Sequence, residues 1–124
     1  MAKKVDYRNI EKDTETNNLY RKVIHTVPNK FQLVLMSLNV GEDIPAEVHE
    51  KQVQFIRIES GEGLAIVGPS KKRYKLKEGI SITIPPKTRH YIKNTSEKDK
   101  LKLYTIYAPP DHPPNERNKR QPKE

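Results

Sequence analysis

EVHEKQVQFIRIESGEGLAIVG, residues Glu47 to Gly68, holds two runs rich in β-branched and aliphatic residues, VQFIRIE and GLAIVG, parted by the turn-forming SGEG. Runs of this kind, with a period of two and small polar residues between them, read as paired strands. Alternation sends successive side chains to opposite faces, so Glu47 and His49 share a face, and Gln54 shares one with Ile56 and Ile58. Gln54 therefore points inward. An uncharged amide on an apolar face needs a partner, because leaving it unpaired in a core costs on the order of 1–3 kcal/mol. A metal ion or a bound ligand would supply that partner.

The same period recurs on both sides of this stretch. Strands are expected at Leu19 to Thr26, Phe31 to Leu38, Val53 to Glu59, Gly63 to Gly68, Arg73 to Lys77, Ile80 to Pro85, His90 to Thr95 and Leu101 to Ala108. The intervening PNK, GEDIP, SGEG, GPSKK, KEG, PPK and SEKDK are rich in Gly, Pro and small polar residues. No window sustains an i, i+3, i+4, i+7 apolar stripe for three turns, so helices are not expected. Short strands and short turns over about ninety residues predict an all-β antiparallel sandwich or barrel. His90, which opens a strand after a proline turn, shares a face with Ile92 and Asn94.

A chain of 124 residues is enough for one core. Residues 1–18 are polar and read as an arm that adds a strand or stays mobile. Residues 115–124 have nothing apolar to bury and read as a basic, disordered tail. No stretch approaches the roughly 18 apolar residues of a membrane span, and the first residues lack the apolar segment of a secretory signal, so a soluble, cytoplasmic protein is expected. Without cysteine there is no disulfide, no thiolate metal site and no cysteine nucleophile. Any metal must be held by nitrogen and oxygen. The formal charge is +8, with clusters at Lys71 to Lys77 and Lys98 to Lys102 that would draw anions. No nucleic-acid motif accompanies them, so they read as a solvated face and nucleic acid is not an expected partner.

The stretch Gly41 to Gly61 resembles the first motif of the cupin family: a glycine, five residues, a His-x-His pair, a carboxylate, and a closing glycine. Here Glu47 and His49 fall on the pair and Gln54 on the carboxylate. Gly79, Pro85, His90 and Asn94 resemble the second motif. The resemblance covers roughly residues 19–114 and implies a double-stranded β-helix, or jelly-roll, barrel with a divalent metal in its mouth, held by Glu47, His49, Gln54 and His90. Two of these four depart from the usual pattern, yet one carboxylate remains, so a divalent ion would leave a net charge of about +1 as in the usual site. Mixed nitrogen and oxygen donors suit Zn, Mn, Fe, Co or Ni. The chain is also similar to a subgroup of small cupins often labelled as resembling mannose-6-phosphate isomerase. Cupins of this kind commonly form homodimers.

The resemblance implies a small oxygen-rich or anionic substrate, handled by isomerase-like or dioxygenase-like chemistry. Lys87, Arg89 and Asn94 are the candidate substrate-binding residues, although Arg89 alternates with His90 and would face outward. Gln52 has the parity of Gln54 and is a fallback ligand, while His112 is a loop residue able to fold over the mouth. No general base stands out beyond Glu47. The alternative is a non-catalytic module that captures a small ligand, with a structural metal or none; there Glu47 is a surface acid and Gln54 caps a backbone group.

Overall fold

The computed structural model describes residues 4–122. The chain forms α1 (Ile10–Thr16), β1 (Arg21–Val27), β2 (Phe31–Leu38), β3 (Asp43–Glu47), β4 (Val53–Ser60), β5 (Glu62–Val67), β6 (Lys72–Lys77), β7 (Ser81–Ile84), β8 (His90–Asn94), β9 (Leu101–Ala108) and β10 (Arg117–Asn118). The strands make two antiparallel sheets, ordered β10-β1-β2-β9-β4-β7 and β3-β8-β5-β6. This is the antiparallel barrel expected from the strand pattern, in the jelly-roll arrangement that the resemblance implies, and α1, at seven residues, is far too short to cross a membrane.

The two sheets close on one apolar core. Val34, Met36 and Leu38 from β2, Ile56 and Ile58 from β4, and Leu101 and Leu103 from β9 meet Ile44, Ala65, Leu76 and Ile92 from the smaller sheet. Removing such side chains from water stabilises the fold by roughly 1.5–3 kcal/mol each for the larger ones. β2 is buried along nearly its whole length on both faces, from Gln32 to Leu38. Its outer face is covered by α1, which packs on β2, β4 and β9.

Three elements differ from the sequence expectation. α1 stands where an extended or mobile arm was expected. Its N-cap is Asn9, whose side chain accepts from the Lys12 N–H at 3.0 Å, and a single helical residue, Thr14, is buried. Seven residues with one buried contact cannot show an apolar stripe, so the helix left no periodic signal. β3 was read as turn because it contains Pro45, but it lies at a sheet edge, where a missing N–H breaks no ladder bond. The segment from Asn115, expected to be disordered, adds β10 against β1, and the Glu116 carbonyl accepts from Val23 N–H at 2.9 Å. Backbone pairing needs no apolar side chain, which is why composition missed it.

Gly61 links β4 to β5 with φ +93°, and a Cβ there would lie 2.3 Å from the Lys100 carbonyl oxygen and 2.9 Å from Leu101 Cα. Both the left-handed backbone and the close approach exclude a side chain. Gly61→Ala is expected to lower the unfolding free energy by about 2–4 kcal/mol, read from a shift of the urea midpoint at unchanged slope.

Candidate metal centre

The inner face of the barrel is apolar at one end and polar at the other. The polar layer comes from three places. Glu47 ends β3 and stands opposite His90, the first residue of β8. Ile44 and Glu47 are three residues apart and would face opposite ways in a regular strand; the register shift between them brings both inward. His49 lies in the loop after β3, and its carbonyl accepts from Lys87 N–H at 2.7 Å, which ties the loop to the β7–β8 turn. Gln54 enters from β4.

One donor atom each from Glu47, His49 and His90 lies within 4.8 Å of the others. His49 Nε2 is 3.3 Å and His90 Nε2 3.9 Å from the Glu47 carboxylate, and the two rings are 5.1 Å apart. Both histidines are oriented from behind. His90 Nδ1 lies 3.0 Å from the Thr88 carbonyl, which can only accept, so Nδ1 carries the proton and Nε2 presents a lone pair. His49 Nδ1 lies 3.4 Å from Asp111 Oδ1, which favours the same tautomer. This carboxylate–histidine arrangement is the usual backing of a metal-ligating imidazole.

The consequence is an excess of lone pairs. His49 Nε2 and His90 Nε2 are buried without a hydrogen-bond partner, and so is Gln54 Oε1. The Gln54 amide nitrogen is used up, donating to Thr105 Oγ1 at 3.1 Å and to Tyr107 Oη at 3.2 Å. Ring nitrogens closing on a carboxylate call for a positive partner, and a proton or a metal ion would serve. The proton's share is visible at His49: the Asp111 carboxylate, then Glu47, push its pKa up to about 9. Burial instead holds His90 below the ordinary histidine value. Nitrogen and oxygen donors in this combination fit a divalent ion of the Zn, Mn, Fe, Co or Ni kind.

Glu47, His49 and His90, expected in one place, lie together, whereas Asp111 was not foreseen. The loop after β9 carries Asp111 over the mouth because two glutamines hold it. Gln32 accepts from Asp111 N–H and His112 N–H at 3.1 and 2.9 Å and donates to the His112 carbonyl at 2.7 Å. Gln52 donates to the Pro110 carbonyl at 3.2 Å, so it anchors the loop rather than serving as a ligand. His112 does fold back, with its ring edge-on to Tyr107 at 5.2 Å.

The candidate substrate-binding residues lie elsewhere. Lys87 is an exposed turn residue, and Arg89 is exposed beside Tyr91 on the outer face, as its alternation with His90 requires. Asn94 is buried at the far end of β8, donating to the carbonyls of Leu38, Asn39 and Asp99 and accepting from Ser96 N–H. Its hydrogen-bonding capacity is spent on loops, so it has none left for a ligand.

Residues 34–107 match the family model described as Cupin_2: Cupin domain. The chain belongs to the cupin family. This cupin is 50% identical over 115 residues to an uncharacterized protein of Acanthamoeba polyphaga mimivirus, a match spanning 92% of the chain and 71% of the relative. It is 42% identical over 109 residues to the uncharacterized protein YrkC of Bacillus subtilis, spanning 85% of the chain but 58% of that relative's length. A Bacillus halodurans crystal structure, 36% identical, superposes with a TM-score of 0.90 over 94% of this cupin and 90% of that chain.

The raised pKa of His49 fixes a pH dependence for the cupin stripped of metal. The His49⁺ contacts with Asp111 and Glu47 stabilise the fold fully below the unfolded histidine pKa near 6.5, and that stabilisation is lost as pH rises through about 9. NMR titration of the chelator-treated protein should show His49 titrating near 9, and Asp111→Asn should bring it downward.

Proposed function

We propose that this cupin binds a divalent metal ion through Glu47, His49 and His90, with Gln54 Oε1 as a further oxygen donor, and presents it to a small oxygen-rich or anionic molecule entering at the barrel mouth. The observation that carries the reading is the pair of buried, unpartnered ring nitrogens of His49 and His90 beside the Glu47 carboxylate, with Gln54 Oε1 likewise buried and unpartnered. A bound ion would supply Lewis acidity, polarising a carbonyl or gathering adjacent oxygens.

The remaining work falls to the chain's own side chains. Asp111, whose carboxyl is held below the usual range by His49, stays ionised and fixes the His49 ring. Tyr107, pushed upward by burial, stays a neutral phenol; its oxygen accepts from Gln54, which leaves its own hydrogen free to donate. The Pro109–Pro114 segment, held by Gln32 and Gln52, covers one side of the mouth and limits water there.

Isomerase-like chemistry, of the kind implied by similarity to the mannose-6-phosphate isomerase-like subgroup, requires a base to carry a proton between adjacent carbons. A specific observation favours a second reading, a ligand-capturing module without catalysis. Both carboxylates at the cluster, Glu47 and Asp111, are committed to His49, and among the described residues no third one joins them. A homodimer belongs to the proposal through the resemblance to small cupins.

Elemental analysis of untagged protein is the test. The wild type should carry close to one equivalent of a single divalent metal, and a His49→Ala/His90→Ala variant none. Gln54→Leu should weaken binding of the same metal by about tenfold, the scale seen when support for a metal site is removed. A wild type that takes up none of Mn, Fe, Co, Ni or Zn overturns the proposal. Unfolding of the double variant on loss of the metal, with no turnover found in the wild type, would favour the non-catalytic reading.

A further inference from the structure

Arg21 opens β1 and pairs across the ladder with Met36, a core residue, so its side chain leaves the strand on the inner face of the larger sheet. β1 and β3 lie at or near the same open side of the sandwich, each remote from the opposite edges β7 and β6. Between them is a slot of about 210 Å³, walled by Tyr20 and Arg21 on one side and by Ile44 and Glu47 on the other. Gln121 and Pro122 of the C-terminal segment border it. Glu47, which lines the slot, also belongs to the candidate metal cluster. Its volume is below the roughly 300–1,000 Å³ of sites for drug-sized molecules and suits a ligand of a few heavy atoms.

The guanidinium is only half used. Nη1 makes both of its polar contacts, to Glu116 Oε2 at 3.1 Å and to Asn118 Oδ1 at 3.2 Å. Nε is buried without a partner, and Nη2 makes no hydrogen bond among the described residues. Nε has no surface open to an oxygen-sized atom, which leaves Nη2–H as the donor free to meet an oxygen of a carboxylate or phosphate. The Tyr20 ring, 5.5 Å from the guanidinium carbon, steadies the group. Its charge is felt at the mouth: after burial, Arg21 is the strongest influence disfavouring the charged form of His112.

We infer that Arg21 anchors the oxyanion group, carboxylate or phosphate, of the small molecule this slot admits, and sets it beside Glu47. The inference rests on the metal-site reading and adds to it the class of ligand and the residue that selects it. Lys87 and Arg89, the cations nearest to His90 in sequence, face solvent and leave this role open. Glu116 is the resident carboxylate on the same guanidinium, and a bound oxyanion would share Arg21 with it.

The test separates an anchor from a pin that merely holds the C-terminal segment. Inorganic phosphate and glycolate are titrated separately into the metal-loaded protein, read by calorimetry and by the side-chain ¹⁵Nε resonance of Arg21. At least one of the two should bind, and R21M should weaken it by about tenfold or more. R21K, which keeps the charge and loses the planar Nη2–H donor, should also weaken it, and keeps the test informative if R21M folds poorly. E116Q should tighten binding by roughly twofold or more, because it removes a competing carboxylate. A pin predicts the opposite sign, with E116Q weakening binding alongside R21M, and that result overturns the inference. So does equal binding by wild type and R21M, or no binding of either anion by the wild type. Metal titration with Zn²⁺ is run in parallel, and R21M should match wild type within about threefold, since Arg21 is no ligand. Failure of the wild type to bind metal, with phosphate still shifting the Arg21 resonance, would remove the metal reading and leave the anchor standing.

Discussion

His49 sits between two carboxylates, Asp111 at Nδ1 and Glu47 at Nε2, at 3.4 and 3.3 Å. A buried imidazole in that position cannot satisfy both sides as a neutral base, so the interior must hold a positive charge there. Much of the polar end of the barrel is arranged around that requirement. The bulge before Glu47 turns its carboxylate inward, Thr88 orients His90, and Gln32 holds the loop that delivers Asp111. These supports are backbone or side-chain hydrogen bonds, which is how a site keeps its geometry when its ligands come from loops and strand ends.

The opposite end of the barrel carries no such demand and is closed by aliphatic packing. Leu38, Ile58, Leu101 and Leu103 are fully buried, while Asn94 braces the surrounding loops through three backbone carbonyls. Stability and chemistry therefore occupy different layers of the same strands. β4 shows both on one face, with Gln54 at the polar end and Ile56 and Ile58 below it.

Much of this was legible in the sequence. A period of two gives strand faces directly, so the eight main strands and the inward turn of Gln54 could be read from residue order. The motif spacing placed Glu47, His49 and His90 in one site. What escaped was set by tertiary contacts. α1 is too short to show a stripe, β3 is disguised by Pro45, and β10 rests on backbone pairing. Asp111 stands more than fifty residues from His49, and nothing local marks it as that histidine's partner. Arg21 carries no mark in the sequence, and its cross-strand neighbour, Met36, shows which face it leaves from. Lys87 lies in an exposed turn and Arg89 alternates with His90 onto the outer face, so neither side chain enters the mouth.

β9 lies in the middle of the six-stranded sheet, between β2 and β4, although it is the last long strand in the chain. During synthesis β2 and β4 are therefore made with their inner edges unpaired, and the sheet has no centre until Ala108 has emerged. Exposed edges of apolar strands are templates for wrong pairing. Asp111 follows β9 by three residues, so the carboxylate that orients His49 arrives with the strand that closes the sheet. Completion of the barrel and completion of the metal site thus become a single late event, and a nascent chain cannot offer a finished site before it has a finished fold.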